Sequence, residues 1–309
     1  MLVFLYTNRM QTLVIGSTVV DVVLNIPSLP GRGEDVNITG AKYGLGGCAY
    51  NVFKTLTLFE SPALLCSPVG SGVYGRMVRE YLEKERIEPF VSLEKENGCC
   101  YCLVEPDGER TFLSHHGAEY LFSRSWMERV DFSKVSDIFI CGLEVEEPTG
   151  NEIIDFVYEH NDNDVFFAPG PRITHIGGEK MERLLHPSPG KGRRGPILHL
   201  NETEALGFSG RPTIEEAAAF LASKTGNSVI ITLGDRGCYC LSKSGGSFVP
   251  PFPAKVIDTV GAGDAHCGTI IACCKKGMSL EEACLLANKA GAAVVGVQGA
   301  ALDRLPFEV

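Results

Sequence analysis

The stretch Asp258-Thr259-Val260-Gly261-Ala262-Gly263-Asp264 sets small residues between two acids. It lies where an extended, Pro-rich segment (249–256) gives way to a run (265–276) that reads as helix. Small residues let a phosphate approach the main chain closely. The first amides of a helix have no internal acceptors, and the helix dipole favours an anion beside them. Asp264 then stands next to the bound anion, placed to take a proton from an incoming hydroxyl. That is the chemistry of phosphoryl transfer. Standing alone, the same residues also make an ordinary glycine turn with a capping acid.

Other groups invite chemical readings. Gly44-Leu45-Gly46-Gly47 precedes a helical pattern over 49–59, and Asn51 falls on its first turn. An amide there can donate to and accept from a hydroxylated ligand, or simply cap the helix. Gly70-Ser71-Gly72-Val73-Tyr74-Gly75 is a GxGxxG between an apolar strand (63–69) and a helix (76–86), the local setting of a dinucleotide site. It is not in the first strand–helix–strand unit. Where a ribose-binding acid should end a strand, the turn-like Glu94-Lys95-Glu96-Asn97-Gly98 stands instead. Cys99 and Cys102 form a CxxC followed by His115 and His116, but a tetrahedral zinc site needs a second pair at proper spacing, which adjacent histidines do not supply. Lys191, Arg193 and Arg194 lie in a Pro- and Gly-rich stretch (186–196) that reads as a solvated loop.

The elements that position these groups follow from the apolar pattern. Short apolar runs at 13–16, 63–69, 138–141, 165–167, 197–200 and 229–233 read as buried strands. Helical patterns at 151–160, 214–223 and 279–295 alternate with them, the last opened by a Ser279/Glu282 capping box. Such alternation implies a mostly parallel sheet covered on both faces, with ligands at the carboxyl ends of its strands. Two stretches interrupt it: extended residues 35–43, and a hairpin of 99–104 with 109–114 around Pro106-Asp107-Gly108. They are expected to form a small sheet over the site, as lids do. The 309 residues read as one domain, 1–309, without an internal linker. A net charge of −10 argues against a nucleic-acid surface. No run approaches the roughly 18 apolar residues of a membrane span. Residues 1–6 are apolar but short and lack a basic start, so no export signal is expected, and residues 1–9 before Met10 read as peripheral. The twelve cysteines then read as reduced thiols of a cytoplasmic protein.

Taken in order, the motifs resemble those of the ribokinase-like (PfkB-type) carbohydrate kinases over about residues 13–300. Asp258–Asp264 resembles the family's DTxGAGD signature, and Gly46-Gly47 with Asn51 its GGxxxN signature. Asn201 and Glu204 resemble NxxE, while Thr232, Gly234 and Gly237 resemble TxGxxG. The resemblance implies a three-layer α/β/α fold with a mostly parallel central sheet and a small β lid from about 17–45 and 97–118. It implies an ATP-dependent kinase acting on a hydroxymethyl group of a small sugar or nucleoside. Asp264 would be the general base, and the Gly261, Ala262 and Gly263 amides the anion hole. Asp21, Gly47, Asn51 and Glu144 would bind substrate. Asn201, Thr232, Gly234, Gly237 and Asn288 would line the ATP site. Glu204 would position magnesium through water, and Asp258 would support a potassium-type cation. A homodimer through the lid edges is implied as well.

The sequence departs from the family at Cys48, where several members have Lys, at Gly72 in place of Asp, at Leu200 in place of Pro, and at His266, which reads as a helix-packing residue. Rival readings are a sugar-phosphate kinase using a basic cluster among Arg32, Lys42, Arg110 and Arg172, a non-catalytic sugar or nucleoside sensor, and a nicotinamide-dependent dehydrogenase using Gly70, Gly72 and Gly75.

Overall fold

The apolar runs become the strands of a central sheet. In chain order the strands are β1 (Gln11–Ile15), β2 (Val19–Asn25), β3 (Gly40–Gly46), β4 (Ala63–Cys66), β5 (Pro68–Ser71), β6 (Val91–Glu96) and β7 (Cys99–Val104). They continue with β8 (Arg110–His115), β9 (Val135–Cys141), β10 (Asp164–Ala168), β11 (Ile197–Asn201), β12 (Val229–Thr232), β13 (Cys238–Ser242) and β14 (Gly245–Val249). The computed structural model describes residues 10–160, 163–186 and 194–308. The expectations for residues 1–9 and for Lys191 and Arg193 fall outside that range, while Arg194 is exposed.

Eight strands form the main sheet in the order β14-β13-β12-β11-β10-β9-β1-β4. Neighbours from β12 to β4 are parallel, and β13 and β14 close one edge antiparallel. Successive side chains of a strand point to opposite faces, so the sheet feeds two separate cores. Ile138 and Ile140 of β9 pack with Ile153, Phe156, Leu184 and Leu221 on one face. Phe139 between them packs on the other with Val52, Leu56, Ile270 and Ala283. The first face is covered by helices Gly150–Glu159, Gly178–Leu185 and Ile214–Thr225. The second is covered by Cys48–Leu58, Ala262–Lys275 and Leu280–Val295. The result is a three-layer, ribokinase-like α/β fold. Among the described residues no helix is long and apolar enough to cross a membrane.

A second sheet, β3-β2-β7-β8, stands apart from the first. Its β7–β8 hairpin turns at Gly108, with the Glu105 amide donating to the Glu109 carbonyl. Register aligns Lys42, Val23, Cys102 and Phe112 across the four strands. Asp21 and Arg110 lie two residues away along their own strands, so they share that face.

Three local expectations change. Residues 63–69 are not one strand: the chain leaves the main sheet after Cys66, and β5 pairs with β6 in a two-stranded ribbon. The turn expected at 94–98 is strand as far as Glu96, because β5 supplies a partner that the charged sequence Val-Ser-Leu-Glu-Lys-Glu does not advertise. The helix expected at 76–86 is Gly72–Lys84, beginning directly on the glycine motif.

Candidate active site

Asp264 sits in the first turn of the Ala262–Lys275 helix, and the turn before it dictates its position. Gly261 has φ 75°, and a Cβ there would lie 1.9 Å from the Ala300 carbonyl oxygen, so the conformation needs glycine. The Asp258 carboxylate braces the same turn. Its Oδ1 accepts from the Val260 amide at 2.9 Å and its Oδ2 from the Gly299 amide at 2.9 Å. The Ala262 amide reaches only the Thr259 carbonyl, at 3.4 Å. Among the described residues the Gly261, Gly263 and Asp264 amides have no acceptor, leaving three donors open at the positive end of the helix.

The Asn51 Nδ2 donates to Asp264 Oδ2 at 2.8 Å. Asn51 is held by its own amide on the Gly47 carbonyl at 2.9 Å and by burial. Gly47 has φ 99°, and a Cβ there would lie 2.5 Å from the Ser17 carbonyl oxygen, so the start of that helix needs glycine. Among the described residues the buried Asn51 Oδ1 has no partner, an acceptor that an incoming hydroxyl would satisfy. Burial raises the Asp264 pKa to about 6, against the lowering effect of Asn51 and the Cys48 thiol, with the Glu144 charge adding to the rise.

Two cavities meet at the Asp258–Asp264 stretch. Asp258 and Val260 line a cavity of about 260 Å³, together with Asp21, Lys42, Arg110 and Phe112 of the small sheet. Thr259, Ala262 and Gly263 line a cavity of about 590 Å³ on the other side, with Thr232, Gly234, Gly237, His266 and Asn288. Burial, then the charges of Asp264 and Asp258, raise the Asp21 pKa to about 7.

The larger cavity rests on a chain of buried side chains. Asn288 spends its Nδ2 on the carbonyls of Val249 (3.2 Å) and Pro250 (2.9 Å). Its Oδ1 therefore accepts from His266 Nε2 at 3.1 Å, and in the neutral imidazole His266 Nδ1 is then the acceptor for His199 Nε2 at 2.9 Å. His266 is thus more than a packing residue: it supports Asn288 and lines the cavity. Asn201 and Glu204 make a mutual capping box at the start of the Glu202–Ser209 helix. The Glu204 oxygens accept from the Asn201 amide (3.1 Å) and Nδ2 (2.7 Å). They line neither cavity, although Asn201 pairs in register with Thr232, which does.

Several expectations land elsewhere. Glu144 is fully buried beneath the site, with Oε1 accepting from the Ser17 amide at 2.8 Å, and lines neither cavity. It holds the loop that leaves β1. The expected cation at Asp258 does not fit its carboxylate, because both oxygens already accept backbone amides and the Arg110 guanidinium pairs with Oδ1. Burial alone would raise the Asp258 pKa, but Arg110 and the two amides outweigh it and hold it low. In the GxGxxG loop, Arg79 donates to the Gly70 carbonyl at 2.6 Å and to Gly75 at 3.3 Å, so the glycines are filled from within. His116 stacks on Tyr120 and pairs with Glu147 rather than turning to Cys99 and Cys102. Of the four basic residues, Lys42 and Arg110 line the smaller cavity, while Arg172 pairs with Glu146 and Arg32 lies on an exposed turn. Sequence reading overlooked Gln298, Gly299 and Ala300, which close the smaller cavity. A Gly-Ala pair after the last helix marks a loop but not its destination.

The chain matches the family model described as pfkB family carbohydrate kinase over residues 10–307. It is 32% identical over 298 residues to the uncharacterized sugar kinase YegV of Escherichia coli (strain K12), covering 95% of this chain and 91% of that protein. Among solved structures, the ribokinase of Arabidopsis thaliana complexed with ribose and ATP superposes with a TM-score of 0.77 at 21% identity, covering 95% of each chain. The nucleoside kinase of Burkholderia thailandensis in complex with inosine gives 0.75 at 19%, covering 94% of this chain and 91% of that one.

Proposed function

The chain belongs to the pfkB family of carbohydrate kinases, and we propose that it transfers the γ-phosphoryl group of ATP to a hydroxymethyl group of a small sugar or nucleoside. One observation carries this reading. Consecutive residues of a single turn line two cavities, and Asp264, which follows directly on that turn, lines neither but is bonded to Asn51 behind it, next to the unfilled amides of the helix start. The smaller cavity takes the acceptor and the larger one the nucleotide.

The acceptor's ring hydroxyls bind Asp21 and Asn51, and its reacting hydroxyl lies against Asp264, which takes the proton. The Gly261, Ala262 and Gly263 amides meet the charge on the moving phosphoryl group. Such transfer depends mainly on positioning and charge stabilisation. Thr232, Gly234, Gly237 and the His266-supported Asn288 hold the nucleotide, with Asn201 at its margin. Magnesium, bound with the phosphates, would neutralise their charge. Glu204, whose oxygens are both engaged by Asn201, fits that ion through water and not as a direct ligand. The small sheet acts as a lid that keeps water from the reacting groups.

The second reading, an acceptor that already carries a phosphate, is favoured by Lys42 and Arg110 in the smaller cavity. Arg110 is already balanced by Asp258, so a neutral acceptor is preferred. The twelve cysteines are all free, which suits the reducing cytoplasm as the place of this activity. The outer edges of β3 and β8 and the exposed Tyr43 and Leu113 support a homodimer through the lid.

A screen of neutral sugars, nucleosides and sugar phosphates with coupled ATP turnover tests the reading and selects the acceptor. Asp264→Asn should retain ATP-induced thermal stabilisation while turnover falls by about 10²–10⁴-fold. Undiminished turnover in that variant rules out Asp264 as the base. No ATP consumption with any acceptor would favour a non-catalytic sensor.

A further inference from the structure

The anion-binding turn is held by a side chain from the other sheet. Asp258 organises the turn by accepting the Val260 and Gly299 amides. Its charge is met by Arg110 of β8, 148 residues away in the chain. The pair is well enclosed, with side-chain exposures of 15% for Arg110 and 6% for Asp258. A buried carboxylate deprived of its cation is strongly disfavoured. Arg110 therefore decides whether Asp258 can remain charged while it grips two backbone amides. A second contact follows the same track. Lys42 of β3 donates to Gln298 Oε1, and the next residue, Gly299, supplies one of the amides that Asp258 holds. Both contacts run from the inner face of the small sheet to the segment that shapes Gly261–Gly263.

We propose that Arg110 is a positioning residue of the phosphoryl-transfer site. Carried in by the lid, its guanidinium supplies the charge that lets Asp258 brace the turn, so the anion hole is complete only when the lid is down. This couples occupation of the acceptor cavity to readiness of the phosphoryl site. The inference rests on the kinase reading above. It assigns Arg110 no contact with the reacting atoms and no proton transfer.

The test compares Arg110→Gln and Arg110→Lys with the unaltered protein by hydrogen exchange and by kinetics. In Arg110→Gln the amides of 257–264 and 296–300 should exchange faster, while those of β9, β10 and β11 are unchanged. With the acceptor found by the screen, kcat should fall by about 100-fold, the scale of a misplaced catalytic array, and the KM for ATP should stay nearly constant. Arg110→Lys, or millimolar guanidinium added to the Gln variant, should restore part of the rate. A Gln variant with unaltered exchange in those segments overturns the proposal. So does a loss confined to the acceptor KM, which would make Arg110 a substrate contact only. If no acceptor is turned over, the kinase reading fails on its own, and the exchange comparison still decides the role of Arg110.

Discussion

Asp264 has a carboxyl that titrates near pH 6 because burial opposes its charge more than the Asn51 amide and the Cys48 thiol favour it. If Asp264 is the base it must be deprotonated to act, so kcat/KM, which reports the ligand-free protein, should rise with pH through about 6 and level off above it. At pH 5 roughly one-tenth of the plateau rate should remain, since one pH unit below the pKa leaves about a tenth of the group ionised. A profile flat from pH 5 to 8 would remove Asp264 from the proton transfer. Asp21 is shifted in the same direction, to about 7, first by burial and then by Asp264 and Asp258. Its folded-state pKa lies above the ordinary 3.8, so the folded chain binds this proton more tightly than the unfolded chain. The group therefore costs stability as pH rises from about 4 through 7. Asp21→Asn should raise Tm at pH 8, with the gain vanishing near pH 4, and should weaken acceptor binding. A lower Tm at pH 8 would show that the charge is stabilised in a way these contacts do not provide. The trade is a common one at binding sites, where a group kept for function costs stability.

The elements around the larger cavity are tied together by polar groups that must all be satisfied. Asn288 of the Leu280–Val295 helix joins His266 of the neighbouring helix to the carbonyls that follow β14, and His199 of β11 completes the chain. The orientation of each group follows from the next, so the chain has one consistent arrangement of donors and acceptors. Asn288→Ala would leave two carbonyls and a histidine N–H without partners in a buried place. The expected cost is about 1–3 kcal/mol of stability, read by denaturant unfolding, together with a raised KM for ATP and a nearly constant kcat. Unchanged stability and KM would mean that water replaces the amide without loss. Glycine acts at the same scale: the Gly261 and Gly47 conformations, not their lack of bulk alone, let two helices begin against the β1 and Ala300 loops.

At the scale of the whole molecule, the main sheet is the base and the small sheet an appendage that meets it at the smaller cavity. The base buries one core on each face. Among the described residues no further strand pairs with the outer edges of β3 and β8, and Tyr43 and Leu113 are exposed at 55% each. Light scattering should give twice the chain mass of 33.4 kDa, and Leu113→Asp should shift the protein to the monomer without altering Tm in dilute solution. A monomer at every concentration would exclude pairing through the lid.

The sequence by itself determined the parts that are local in the chain. The Asp258–Asp264 turn, the Gly47–Asn51 helix start, the Ser279 cap and the alternating strands and helices all follow from spacing and residue type over a few positions, whereas the capping role of Asn201 emerged only in the structure. The periodicity of short apolar runs was enough for a mostly parallel sheet. Contacts between distant residues could not be read that way. Asn51 lies 213 residues from Asp264 and Arg110 lies 148 from Asp258. Nothing in the local pattern tells an arginine paired with Asp258 apart from a solvated one, or says that Glu144 turns beneath the loop instead of into the cavity. β6 shows the same limit, since a run of charged residues becomes a strand only because β5 is beside it. The motifs behind the proposed chemistry are short, whereas the charge balance around Asp258 and Asp264 arises only when folding brings separate segments within hydrogen-bonding distance.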